Sequence, residues 1–151
     1  MTKALAKTND LPILQQAFAD TERSLNDRLV ERQEFIRILL LAIIGKLDVF
    51  GLGTPGVAKT KAVTLLRDHI DGFPDDGYYW RPLDNFTTPP QLFGPPDVKA
   101  HREEGVWRHV TDNTMIPALL VLLDEIFKAG SSCLQSLLSY LNERKFMNDV
   151  M

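Results

Sequence analysis

Eight consecutive residues constrain this chain more than any other stretch: Gly53-Thr54-Pro55-Gly56-Val57-Ala58-Lys59-Thr60. Glycines let a backbone take a tight positive-φ turn and approach a ligand closely. Ahead of them, Leu47 to Leu52 reads as a short strand, although Gly51 is a weak strand residue. Behind them, Ala62, Val63, Leu66 and Ile70 recur at helical spacing. A glycine-rich turn from strand to helix points successive N–H groups inward as an anion nest, backed by the helix N-terminus. In such a turn Lys59 reaches β- and γ-phosphates and the Thr60 hydroxyl ligates Mg²⁺, with Lys61 following at the same junction. The strict pattern has glycine where Ala58 stands. Alanine is small, and at a helix start only an ordinary helical φ is expected of it. A plain Gly-Pro turn with an exposed lysine is the alternative reading of the same residues.

A second segment bears on that choice. Leu119 to Leu123 is an uninterrupted apolar run, the mark of a strand covered on both faces of a parallel sheet, and Asp124-Glu125 follow it directly. Parallel sheets present ligands at the carboxyl ends of their strands. Asp124 there is a candidate to hold Mg²⁺ through water, and Glu125 to orient and deprotonate an attacking water. Alone, the pair reads equally well as a solvated acidic turn. Together, the two segments point to nucleotide hydrolysis, since Asp124 follows Thr60 by 64 residues, room for an intervening strand and an insertion.

Elsewhere, Leu25, Leu29, Ile36, Leu40 and Ile43 keep a helical period, so a helix is expected from about Asp20 to Ile44, broken near Val30 and ended by Gly45. Tyr78 to Arg81 reads as a strand. Thr88 caps a short helix that begins with Pro89-Pro90 and stops at Gly94. Asp97 to His101 and Val106 to Val110 are expected to form a β-hairpin turning near Gly105. Leu134, Leu137, Leu138 and Leu141 mark a helix over about Ser132 to Arg144. Strands alternating with helices argue for an α/β layer fold.

From Leu25 to Asn148 the chain resembles the MoxR-type AAA+ ATPases, most of all their RavA branch. The resemblance rests on the phosphate loop, Val30-Glu31-Arg32, Thr88-Pro89-Pro90-Gln91-Leu92-Phe93-Gly94-Pro95, Leu123-Asp124-Glu125-Ile126-Phe127-Lys128-Ala129, and Leu141-Asn142-Glu143-Arg144-Lys145-Phe146. It implies a P-loop NTPase sheet flanked by helices, with a hairpin interrupting its second helix and ATP as nucleotide. Residues 1–20 are then an N-terminal extension, and 21–151 the N-terminal part of an AAA+ core. That core is incomplete at its C-terminus: Walker A and Walker B are present, while the sensor strand, arginine finger and lid are expected beyond residue 151. The missing sensor strand is expected between the strand ending at Leu52 and the one ending at Leu123. The resemblance further implies that Leu29-Val30 lie against the adenine, that Asn142, Glu143 and Arg144 sit near a neighbouring subunit, and that a hexameric ring works with a von Willebrand A-type partner. Asn113 stands where the RavA-like pattern has glycine, and asparagine tolerates the left-handed backbone better than most residues.

Composition narrows what remains. A net charge of −3 supplies no electrostatic reason to bind nucleic acid or an anionic membrane nonspecifically. The apolar run Ile38 to Ile44 falls far short of the roughly 20 residues of a membrane span. Met1 to Asp10 lack the apolar stretch of a signal peptide. Cys133, the single cysteine, cannot form an intrachain disulfide, fits a cytoplasmic protein and reads as a buried small hydrophobe. His69, His101 and His109 lack metal-ligand spacing. Two functions stay open: an ATP-driven remodelling ATPase, and a nucleotide-binding or assembly module without turnover. A small P-loop kinase fits poorly, because such kinases lack the adjacent Asp124-Glu125 pair.

Overall fold

The structure is a computed structural model, and it describes residues 11–53 and 58–143. The chain divides into two compact units, Met1–Asp71 and Gly72–Met151.

The described part of the first unit holds three helices: α1 (Leu11–Asn26), α2 (Gln33–Gly45) and α3 (Lys59–Asp68). The helical period starts earlier than expected, at Leu11, and breaks over residues 27–32 as expected, where Glu31 takes a left-handed backbone. Leu25 and Leu29 from one side of that break pack with Ile36 and Leu40 of α2 and Ala62 and Leu66 of α3. The end of α2 differs from expectation. Gly45 is its last helical residue, and Lys46 carries the left-handed turn at φ 52°. The Lys46 N–H donates to the Ile43 carbonyl and the Leu47 N–H to the Ala42 carbonyl, which closes the helix in a Schellman motif. Glycine still matters at position 45, because a Cβ there would sit 3.2 Å from the Leu47 side chain that folds back over it.

No strand forms over Leu47 to Leu52, contrary to expectation. A strand exists through its ladder, and the described residues of this unit contain no second strand to supply one. Leu47, Phe50 and Leu52 are exposed accordingly.

The second unit is built on two parallel strands, β1 (Tyr78–Pro82) and β2 (Leu120–Asp124), in register Tyr78 opposite Leu120 through Pro82 opposite Asp124. The expected layered sheet is thus reduced, among the described residues, to one parallel pair with helices. Tyr79, Val121 and Leu123 pack on a core of Leu83, Leu92, Phe93, Met115, Ala129, Cys133 and Leu137. Alternation sends Trp80 and Leu122 to the opposite face, where Trp80 stays exposed, so β2 is not buried on both sides as its apolar run suggested.

Between the strands lie α4 (Pro89–Phe93) and α5 (Val98–Glu104), and a 3₁₀ turn at Ile126–Lys128 leads from β2 into α6 (Ser131–Glu143). Helix α4 follows its capping signals: the Thr88 N–H donates to Gln91 Oε1 at 3.1 Å, prolines open the first turn, and Leu92 and Phe93 are fully buried. Gly94 follows at φ 97°, and a Cβ there would lie 2.0 Å from the Val110 carbonyl oxygen. Only glycine fits.

The expected hairpin at 97–110 is a helix held between two short extended arms. Asp97 accepts the Ala100 N–H at 2.9 Å as the N-cap of α5, and Gly105 ends it in the left-handed conformation. The arms pair where Pro96 bridges His109 antiparallel, with the Asp97 N–H donating to the Arg108 carbonyl and the Val110 N–H to the Pro95 carbonyl. Trp107 stacks on His101 of α5 at 3.9 Å. In α6 the buried stripe is Cys133, Leu137 and their neighbours Leu134 and Tyr140, while Leu138 faces solvent. Asn113 has φ 58°, as the reading of its glycine-like position anticipated.

Candidate functional site

The residues read as a phosphate loop belong to the first unit, and the acidic pair to the second. Thr54, Pro55, Gly56 and Val57 lie outside the described residues. At the loop's two described ends, Lys59 opens α3 and its Nζ donates to the Gly53 carbonyl at 2.7 Å. Thr60 and Lys61 occupy the first turn of α3, and the Thr60 carbonyl accepts the Thr64 hydroxyl at 3.0 Å. Ala58 corrects the expectation of an ordinary helical φ. It sits at φ 59°, ψ 23°, left-handed, as the N-cap of α3 without a side-chain cap. The left-handed region is unfavourable for an L-residue by roughly 1–2 kcal/mol because Cβ crowds the following carbonyl.

The two residues expected against an adenine part company. Leu29 is 3% exposed and lies in the helical core, whereas Val30 is 85% exposed. Burial of Leu29 is accounted for by packing.

In the second unit, Asp124 ends β2 and Glu125 is the next residue, at the carboxyl end of a parallel strand. The Asp124 carbonyl accepts the Leu83 N–H at 2.8 Å, which ties the end of β2 to the chain leaving β1. Asp124 Oδ1 accepts the Glu125 N–H at 2.9 Å. Glu125 is left-handed at φ 55°, and its Oε2 pairs with Lys128 Nζ at 2.7 Å across the 3₁₀ turn. Both side chains are largely exposed, so this pair adds little stability and instead orients the carboxylate.

Two further carboxylates of the second unit escaped the reading of the sequence. Asp84, just past β1, accepts the Phe86 N–H and the Thr87 hydroxyl, and those bonds, led by Thr87, hold its carboxyl below the usual range. Asp97 is held low by the Ala100 N–H and then by Arg108. A D-x-x-T turn and an aspartate three residues before a helical alanine are local signals that could have found both. Burial pushes the Cys133 thiol up against the opposing charge of Arg81.

Thr60 and Asp124 offer hydroxyl and carboxylate oxygens, the hard donors that Mg²⁺ prefers. Among the described residues no group of three or more His, Cys, Asp or Glu side chains gathers as a metal centre, and none of the helices is long and apolar enough to cross a membrane.

The family model described as "MoxR domain in the MoxR-vWA-beta-propeller ternary systems" matches residues 16–150. The chain belongs to the MoxR family. MoxR proteins form a family of AAA+ ATPases. Two proteins of Methanocaldococcus jannaschii, Uncharacterized protein MJ0812 and Uncharacterized protein MJ0079, are each 36% identical to this MoxR domain over 124 residues, 82% of the chain and 32% of the relative. Structural protein ORF618 of Acidianus two-tailed virus is 28% identical over 121 residues, covering 80% of the chain and 20% of the viral protein. The chain thus spans about a third of the length of the archaeal relatives it matches.

Proposed function

We propose that this MoxR domain binds ATP with Mg²⁺ through Gly53–Thr60 and contributes Asp124 and Glu125 to ATP hydrolysis by a ring-forming remodelling ATPase of the RavA branch. The observation that carries the reading is the position of Lys59: first residue of α3, ammonium turned back to the Gly53 carbonyl. A lysine so placed exchanges one oxygen acceptor for another when a β- or γ-phosphate enters the loop.

In that reading, Thr60 and Asp124 are the residues that would hold Mg²⁺, which would supply positive charge against the phosphates. Lys59 compensates the β- and γ-phosphate charge, and the α3 N-terminus presents N–H groups to the same anion. Glu125 accepts the proton of the attacking water. Its Oε2 is paired with Lys128, and the exposure of that ion pair makes any exchange inexpensive. A von Willebrand A-type partner agrees with the systems for which the matching family is described; a hexameric ring in the cytoplasm is part of the proposal by resemblance alone.

A second reading has an observation in its favour. The viral relative is called a structural protein, which suits a nucleotide-binding or assembly module without turnover. Fluorescent-nucleotide titration tests the nucleotide site that both readings share. Wild type should bind ATP–Mg²⁺ and Lys59→Ala should bind at least about tenfold more weakly, as expected when one charge-assisted hydrogen bond is lost. Equal affinity for the two proteins would overturn the site.

A further inference from the structure

Three aspartates of the second unit lack partners, and they share one place. Asp84, Asp97 and Asp124 each accept a hydrogen bond. Among the described residues, the side chains of Asp75, Asp76 and Asp112 accept none and enter no ion pair. All three line an open cleft of about 460 Å³ together with Tyr78 and Trp80, and no lysine, arginine or histidine lines it.

The cleft lies at the amino ends of β1 and β2, the opposite end of the strands from Asp124 and Glu125. Its walls are tied together by backbone. The Leu119 and Leu120 N–H groups both donate to the Gly77 carbonyl, at 2.8 and 3.0 Å, which joins the turn carrying Asp75 and Asp76 to the loop carrying Asp112. The Gly77 N–H closes that turn on the Pro74 carbonyl at 2.9 Å. In the loop, the buried Thr114 hydroxyl donates to the Thr111 carbonyl at 2.7 Å and accepts the Ile116 N–H at 3.3 Å. The carboxylates are therefore presented on a framework that is already formed. Trp80, on the strand face away from the core, is 51% exposed beside them.

Three negative charges without a counter-charge, next to accessible aromatic rings, select a cation that can also stack. A metal ion does not suit, since no group of three or more His, Cys, Asp or Glu side chains among the described residues gathers closely enough to hold one. A guanidinium does: it is broad and planar, bonds carboxylates in pairs and stacks on aromatic faces. Exposed tryptophan in a concave setting is also a common anchor of protein interfaces. We propose that this cleft docks an arginine-rich segment of a partner protein, its guanidinium groups held by Asp75, Asp76 and Asp112 against Trp80.

The experiment is fluorescence-anisotropy titration of the 151-residue chain with two labelled peptides of equal length, one of arginine and one of lysine, at physiological salt. The arginine peptide should bind at least about threefold more tightly than the lysine peptide. Asp75→Asn with Asp112→Asn should weaken it at least about tenfold. Asp27→Asn with Asp71→Asn removes two exposed aspartates of the first unit, and this control for diffuse attraction should stay within about twofold of wild type. Trp80→Leu should cost the arginine peptide about threefold and erase its advantage over lysine. Should Trp80→Leu fail to fold by circular dichroism, the asparagine variants and the comparison of peptides still decide the matter. No binding by wild type, equal affinity for the two peptides, or equal weakening by the two double variants overturns the proposal.

Discussion

Glu125 combines a legible place in the chain with an illegible conformation. Its place after Asp124 follows from the order of residues, whereas its left-handed backbone and its ion pair with Lys128 depend on the 3₁₀ turn that follows. Glu125→Gln keeps the size of the side chain and removes the base. In the full-length protein it should retain ATP binding and slow steady-state hydrolysis by about 10²–10⁴, the usual worth of a general base. Phosphate release at the wild-type rate would exclude Glu125 from that role. Ala58 makes the complementary point. The residue pattern suggested an ordinary helix start, and the chain instead turns left-handed there, with the methyl group at the margin of a core assembled from three helices.

At the scale of elements, α4 was readable and α5 was not read. Helix α4 is announced by Thr88, two prolines, Gln91 and Gly94, all acting within a few residues. Helix α5 carries equally local signals, Asp97 before it and Gly105 after it, but its short length and the extended arm that follows suggested a hairpin. Asp97 does double duty there, capping α5 and binding Arg108 Nε at 3.0 Å. Its carboxyl is held below the ordinary range by the charged form's bonds, so the stabilisation is complete above the ordinary carboxylate pKa. It is lost as pH falls through the lower, folded value. Asp97→Ala should therefore lower the thermal midpoint at neutral pH, and the gap between variant and wild type should close in acid. Melting curves from neutral pH to below the carboxylate range check this; a gap that does not vary with pH would exclude the cap as its cause.

At the scale of the molecule, the chain spans about a third of its archaeal relatives, and turnover draws on more parts than binding does. In the proposed reading binding draws on the loop, Lys59, Thr60 and Asp124, all of which belong to this chain. Hydrolysis in the proposed assembly also draws on an arginine finger, worth about 10³–10⁵ in rate, and none is assigned among these residues. The 151-residue chain by itself should thus bind ATP–Mg²⁺ with little steady-state hydrolysis. A phosphate-release assay beside the full-length protein tests this, and brisk turnover by the short chain that disappears in Glu125→Gln would contradict it.

The sequence by itself determined the features that act over a few residues. These are the helix that starts at Lys59-Thr60, the apolar strand ending in Asp124 with Glu125 after it, the caps of α4, the break between α1 and α2, and the left-handed Asn113. Only the tertiary structure decided features whose energy comes from distant partners. Leu47 to Leu52 looks like a strand and is none among the described residues, because β-structure requires a neighbouring ladder that no local pattern supplies. The buried face of α6 turns toward Cys133 and Tyr140 and away from Leu138, because Leu83, Leu92 and Phe93 set where its core lies. Residue spacing specifies which faces are apolar. Packing decides which of them find a partner.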